Sequence, residues 1–144
     1  MAITQAMTDS FKVQILSGQQ NLVSGSTQTY KLALYTSSAV LSNATTAYTT
    51  VGEVSSSGSN YTAGGNTLTV STSPTSTGNV AFLSFSNTSW TNANNTANGA
   101  LIYNSTANTA VASLAFGGDK TATNGTFTVI FPTADSTNAI IRIA

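Results

Sequence analysis

The chain is 144 residues long, with four Lys or Arg against four Asp or Glu and neither His nor Cys. Ser, Thr and Asn fill 60 positions, whereas an ordinary soluble domain gives about a quarter of its residues to charge. Thiolate chemistry, disulfides, zinc–thiolate sites and His-based acid–base catalysis are thereby excluded, and the lack of a cationic cluster argues against nucleic acid or an acidic membrane as partner.

In chain order, the opening residues show no basic stretch leading into a long apolar core, and nowhere do 18 apolar residues follow one another. The expectation is therefore a protein made, and at first kept, in a cytoplasm. Ile3, Met7, Phe11 and Ile15 recur at steps of four, with Asp9 and Lys12 spaced i,i+3 and Gly18 placed to stop a helix. This predicts an N-terminal helix over residues 1–18 that either caps a sheet or anchors the protein on a neighbouring subunit; a strand is the rival, because Phe11, Val13 and Ile15 also alternate with polar residues.

Residues 19–144 read as one β-domain. Short apolar or β-branched runs predict strands at 30–35, 47–50, 67–70, 80–85, 100–103, 110–116, 126–131 and 139–143, enough for a two-sheet antiparallel sandwich of jelly-roll type. Between them stand turn-forming clusters at 57–60, 64–66, 78–79, 117–119 and 124–125, where Gly and Asn accept positive φ. Alternation predicts a core of Leu32, Leu34, Phe82, Leu83, Phe85, Leu101, Tyr103, Leu114, Phe116, Phe127, Val129, Phe131, Ile141 and Ile143. Residues 86–97, SNTSWTNANNTA, predict a long loop around Trp90, whose N–H would find an acceptor at the margin of the core. Several strands lack a strongly polar face, which points to cover by a second sheet or by another subunit.

Catalytic patterns are thin. Four carboxylates give a poor prospect of a glycosidase pair, a serine nucleophile has no His base, and G-x-S-x-G is absent. Asp119–Lys120 after two glycines lacks P-loop spacing and predicts a charged hairpin tip. One covalent option fits a structural role: the Lys31 amine could attack an Asn amide with Glu53 shuttling protons, against the plainer reading of a lysine that snorkels or pairs once. No enzyme activity, metal or cofactor is expected.

The blocks LALYTSSA, NYTAGGNTL, GALIYN and FGGDKT, followed by NGTFTVIFPTADSTNAIIRI, together with the opening TQAMTDSFKVQILSG, resemble a family of small virion structural proteins of tailed bacteriophages, common among cyanophages and other marine phages. Where relatives carry a short His-containing segment after the first helix, this chain has Gly18–Gln19–Gln20–Asn21–Leu22, so no metal or pH role carries over. The resemblance implies a virion component assembled in the host cytoplasm. The expected role is a head decoration (cement) protein, a homo-oligomer in the particle whose partners are the major capsid protein and copies of itself. Expected contacts are Ile3, Met7, Phe11 and Ile15 as anchor, and Tyr61, Gly64, Gly65 and Trp90 toward neighbours. The alternative is a tail or fibre module using Trp90 and its Asn-rich loop to bind host glycans.

Overall fold

A run such as Tyr-Lys-Leu-Ala-Leu-Tyr, apolar on both faces, needs cover on both, and in the computed structural model, which describes residues 2–144, it becomes an interior strand. The elements are β1 (Ala6–Met7), α1 (Asp9–Leu16), β2 (Tyr30–Tyr35), β3 (Asn66–Thr67), β4 (Val70–Thr77), β5 (Val80–Phe85), β6 (Thr88–Asn104), β7 (Thr109–Val129) and β8 (Ile141–Ile143). They form an all-β sandwich: a five-stranded sheet in the order β1-β7-β6-β2-β3, a three-stranded sheet in the order β4-β5-β8, both antiparallel, and one short N-terminal helix. The main core lies between the sheets, around Leu32, Leu34, Phe85, Ile102, Phe127 and Ile141; a smaller cluster of Ala33, Tyr35, Leu41 and Leu101 fills the opposite face of β2 and β6. Both faces of these strands are thus covered from within the chain.

The four-step apolar stripe is not one helical face. Thr8 stops the helix early: it takes extended φ/ψ of −73° and 149°, and its hydroxyl accepts from Phe11 N as the N-cap. The same buried hydroxyl donates to Ala110 O at 3.0 Å, while Thr8 N donates to Val111 O. Pairing with β7 therefore satisfies the backbone upstream of Thr8 better than another helical turn could. Ile3 bridges Leu41 and packs on the smaller cluster, Met7 lies in β1 opposite Ala112, and only Phe11 and Ile15 stand on α1. Phe11 is completely buried in the main core, so it is no anchor for a neighbour. Phe11→Ala should lower the unfolding free energy by about 3–5 kcal/mol in urea titration; a loss under about 1 kcal/mol would return the segment to the surface.

Residues 86–97 are not a loop, and residues 47–50 are not a strand. From Thr88 to Ala97 the chain forms the first half of β6, with Thr88, Trp90, Ala93, Asn95 and Ala97 turned inward. The polar residues between them find partners across the ladder to β7. Asn94 and Asn124 exchange bonds of 3.0 and 2.9 Å, the Thr96 and Thr121 hydroxyls meet at 2.8 Å, and Asn98 donates to Asp119 at 2.9 Å. Cross-strand bonding of this kind makes the segment a strand despite the low β-propensity of its asparagines. The clusters at 117–119 and 124–125 are bulges within β7 rather than turns between strands. Between Ala97/Lys120 and Gly99/Ala115 one residue of β6 faces four of β7, and Asn124 at φ 48° sits in a second irregularity. Asp119–Lys120 is accordingly no hairpin tip; that tip lies between Asn104 and Thr109. Of the predicted core, Phe116 is only part-buried and Ile143 is 46% exposed.

Candidate functional site

The Tyr61–Gly64–Gly65 segment, Glu53 and four of the five tyrosines converge beside the edge of β2. Because β3 covers β2 only at Lys31 and Leu32, the next free amide, Leu34 N, donates instead to the Tyr61 hydroxyl at 2.9 Å. That hydroxyl donates to Glu53 Oε1 at 2.7 Å, Gly64 N donates to the same oxygen at 2.7 Å, and Tyr48 OH donates to Oε2 at 2.6 Å. Tyr103 OH donates to Gly64 O at 2.7 Å, its ring stacks on Tyr48 with centroids 4.8 Å apart, and Tyr35 OH donates to Thr49 O. Desolvation by burial raises the phenol pKa of all four. It pushes Tyr103 up to about 12, and the negative charge of Glu53 adds to the rise in each.

Chemically the arrangement is a clamp. One half-buried carboxylate gathers three donors from the long connection between β2 and β3 and fixes them to β2. Glu53→Ala should cost about 3 kcal/mol or more by leaving those donors unpaired, whereas Glu53→Gln keeps an oxygen for Tyr61 and Gly64 and should lose less. Equal losses for the two variants in chemical denaturation would show that the hydrogen bonds contribute little.

Of the expected contact residues, the structure brings Tyr61, Gly64, Gly65 and Trp90 together, but inside the protein. Trp90 is 5% exposed, packed 5.7 Å from Tyr61 and edge-on to Phe127 at 6.2 Å between ring centroids. It does not sit at a margin with a bonded N–H: among the described residues Nε1 has no partner, and neither does the buried side chain of Asn95. A buried unsatisfied group of this kind costs about 1–3 kcal/mol, set here against the burial of a large aromatic surface. Lys31 lies beside Gly64, while the Glu53 oxygens are taken by Tyr48, Tyr61 and Gly64; among the described residues no Asn side chain bonds Lys31. Residues Gly18 to Leu22 supply Gln20, whose amide joins Tyr30, Asn104, Gln14 and Thr109 in a second neutral network.

Sequence reasoning missed the residues that do face outward. Val13, Leu16, Val40, Val51 and Ile130 are all more than half exposed, Leu16 at 89%. Val40 and Val51 stand next to Ala39 and Gly52, which are close enough that a β-carbon on Gly52 would lie 2.7 Å from Ala39 Cα. For Val13, Leu16 and Val51 the signal was available in the sequence as large apolar residues beside polar or turn residues, and for Ile130 as the position out of phase with Phe127, Val129 and Phe131. Among the described residues no group of three potential metal ligands occurs, and no helix is long and apolar enough to cross a membrane. No family model, curated protein or solved structure matches the chain.

Proposed function

We propose that this chain is a structural protein of a tailed-phage virion, a head decoration protein that stabilises the particle through contacts with the major capsid protein and with copies of itself. The observation that carries the reading is the surface. With eight charged residues in 144 and large apolar side chains left open at Leu16, Val51 and Ile130, the exterior is suited to lasting contact with protein. The sequence resemblance to small phage virion proteins supports the same role, and the clamp at Glu53 suits a shell exposed to mechanical load. Quantitative mass spectrometry of purified virions tests it: a decoration protein is present in hundreds of copies per particle, and a count of tens or fewer would assign the chain to the tail or baseplate. The glycan-binding alternative needs an exposed aromatic platform, and the burial of Trp90 removes the one it relied on.

A further inference from the structure

The sandwich is open along one side. There the five-stranded sheet ends at β1 and the three-stranded sheet ends at β8, and α1 lies across the gap. β8 pairs only with β5, through Ala81–Ile143, Phe82–Arg142 and Leu83–Ile141, so alternate residues on its other side direct N–H and C=O groups outward with no backbone partner among the described residues. Against this edge runs a groove of about 500 Å3 between Met7, Ile15 and Leu16 on one wall and Ile143 on the other, with Lys12 and Arg142 at its rim. It continues past Met7 and Arg142 into a second hollow of about 300 Å3 beside Pro132 and Ile140.

We infer that this groove binds an extended segment of another protein, which adds a strand to β8, buries alternate apolar side chains against Leu16 and Ile143, and places a carboxylate at Arg142. Three features select that occupant. The unpaired edge calls for extended main chain, the apolar walls call for aliphatic side chains, and both charges that line the groove are cations. The nearby carboxylates lie outside it and are bonded elsewhere, Asp9 to Asn43 and Lys12, and Asp135 to Thr137 and Asn138. Among the described residues Arg142 makes one side-chain hydrogen bond, donating to Ser136 O at 3.2 Å, and its other donors have no partner. A second copy of this chain fits poorly as the source, since none of its four acidic residues lies on a free extended segment. Asp9 flanks the groove itself, Glu53 is held by tyrosines, Asp119 by Asn98, and Asp135 by its own turn. The inference goes beyond the virion reading and does not depend on it.

The test uses the full chain and a capped, dye-labelled eight-residue peptide alternating valine with glutamate and threonine, followed by fluorescence anisotropy. Binding is expected, weakened at least about tenfold when lysines replace the glutamates and again when the peptide's backbone amides are N-methylated. Leu16→Glu and Ile143→Glu should each weaken it about tenfold with an unchanged melting temperature; if Ile143→Glu unfolds the protein, the more exposed Leu16 carries the comparison. The proposal is overturned by absence of binding at millimolar peptide, by equal affinity for acidic and basic peptides, or by indifference to N-methylation. It is overturned as well if the chain sediments as a dimer that Leu16→Glu dissociates, because the groove would then belong to a second copy. These measurements need no virion, so failure here leaves the copy count to judge the decoration role separately.

Discussion

Gly65→Ala should prevent the protein from reaching its native fold, or cost more than about 4 kcal/mol if it folds at all. Gly65 has φ 76°, where a β-carbon by itself costs roughly 1–2 kcal/mol, and that carbon would stand 1.8 Å from Leu32 O and 2.5 Å from Leu32 C. The obstacle is the backbone of β2, which is bonded to β6 on its other side and cannot rotate away as a side chain would. Gly58→Ala provides the control: φ there is 68°, yet nothing lies within 4 Å of the added carbon. Expression yield and circular dichroism of the two variants should separate sharply, Gly58→Ala behaving like wild type with a loss near 1 kcal/mol. Equal behaviour would mean that the corner at Gly64–Gly65 can open without disturbing β2.

The second large effect is alkaline. All five tyrosines have phenol pKa values raised above the ordinary 10, first by burial, with Tyr30 and Tyr103 at about 12 and Tyr35, Tyr48 and Tyr61 higher still. A folded-state pKa above the unfolded value means that the stability is fully present below pH 10 and is lost as pH rises through the folded value. Each phenol kept protonated costs about 1.4 kcal/mol per pH unit in that window, so the four buried ones, Tyr30, Tyr35, Tyr61 and Tyr103, remove at most about 5.6 kcal/mol per unit. Against a total stability of order 5–15 kcal/mol, unfolding should therefore come between about pH 11 and 13. Absorbance at 295 nm should stay nearly flat beyond pH 10, then rise in one cooperative step that coincides with the loss of the circular dichroism signal. Gradual ionisation centred on pH 10 with unchanged dichroism would show the tyrosines to be open to solvent.

The sandwich and its short N-terminal helix are legible in the sequence because β2, β5 and the apolar halves of β6 and β7 are short runs of apolar residues, and Gly or Asn separates most of them. Legibility fails where the deciding partner is distant. Asn94 and Thr96 read as loop residues until Asn124 and Thr121 lie opposite them. The Ile3–Ile15 stripe reads as one helix until the Thr8 hydroxyl finds Ala110 O, 102 positions away. Gly117 and Asn124 announce positive φ correctly, and the sequence alone does not distinguish a bulge from a turn there. For the site, Tyr61, Gly64, Gly65 and Trp90 do gather, because turn and aromatic residues mark crowded corners. Their inward direction depends on Glu53, a carboxylate with nothing in its neighbouring sequence to distinguish it.

The irregularities of β4, β6 and β7 have a colloidal consequence. A protein with so little charge has almost no electrostatic barrier to strand-to-strand stacking, which is how uncharged sheet proteins pass into fibrils. Here β4 carries Pro74 and two register shifts along the outer side of its sheet, and the β6–β7 ribbon is displaced four times along its length. A kinked margin offers an incoming flat strand only a few aligned bonds before the register breaks. At these two margins shape thus stands in for charge against strand-to-strand stacking, through Pro74 in β4 and the displaced register around Asn124 in β7.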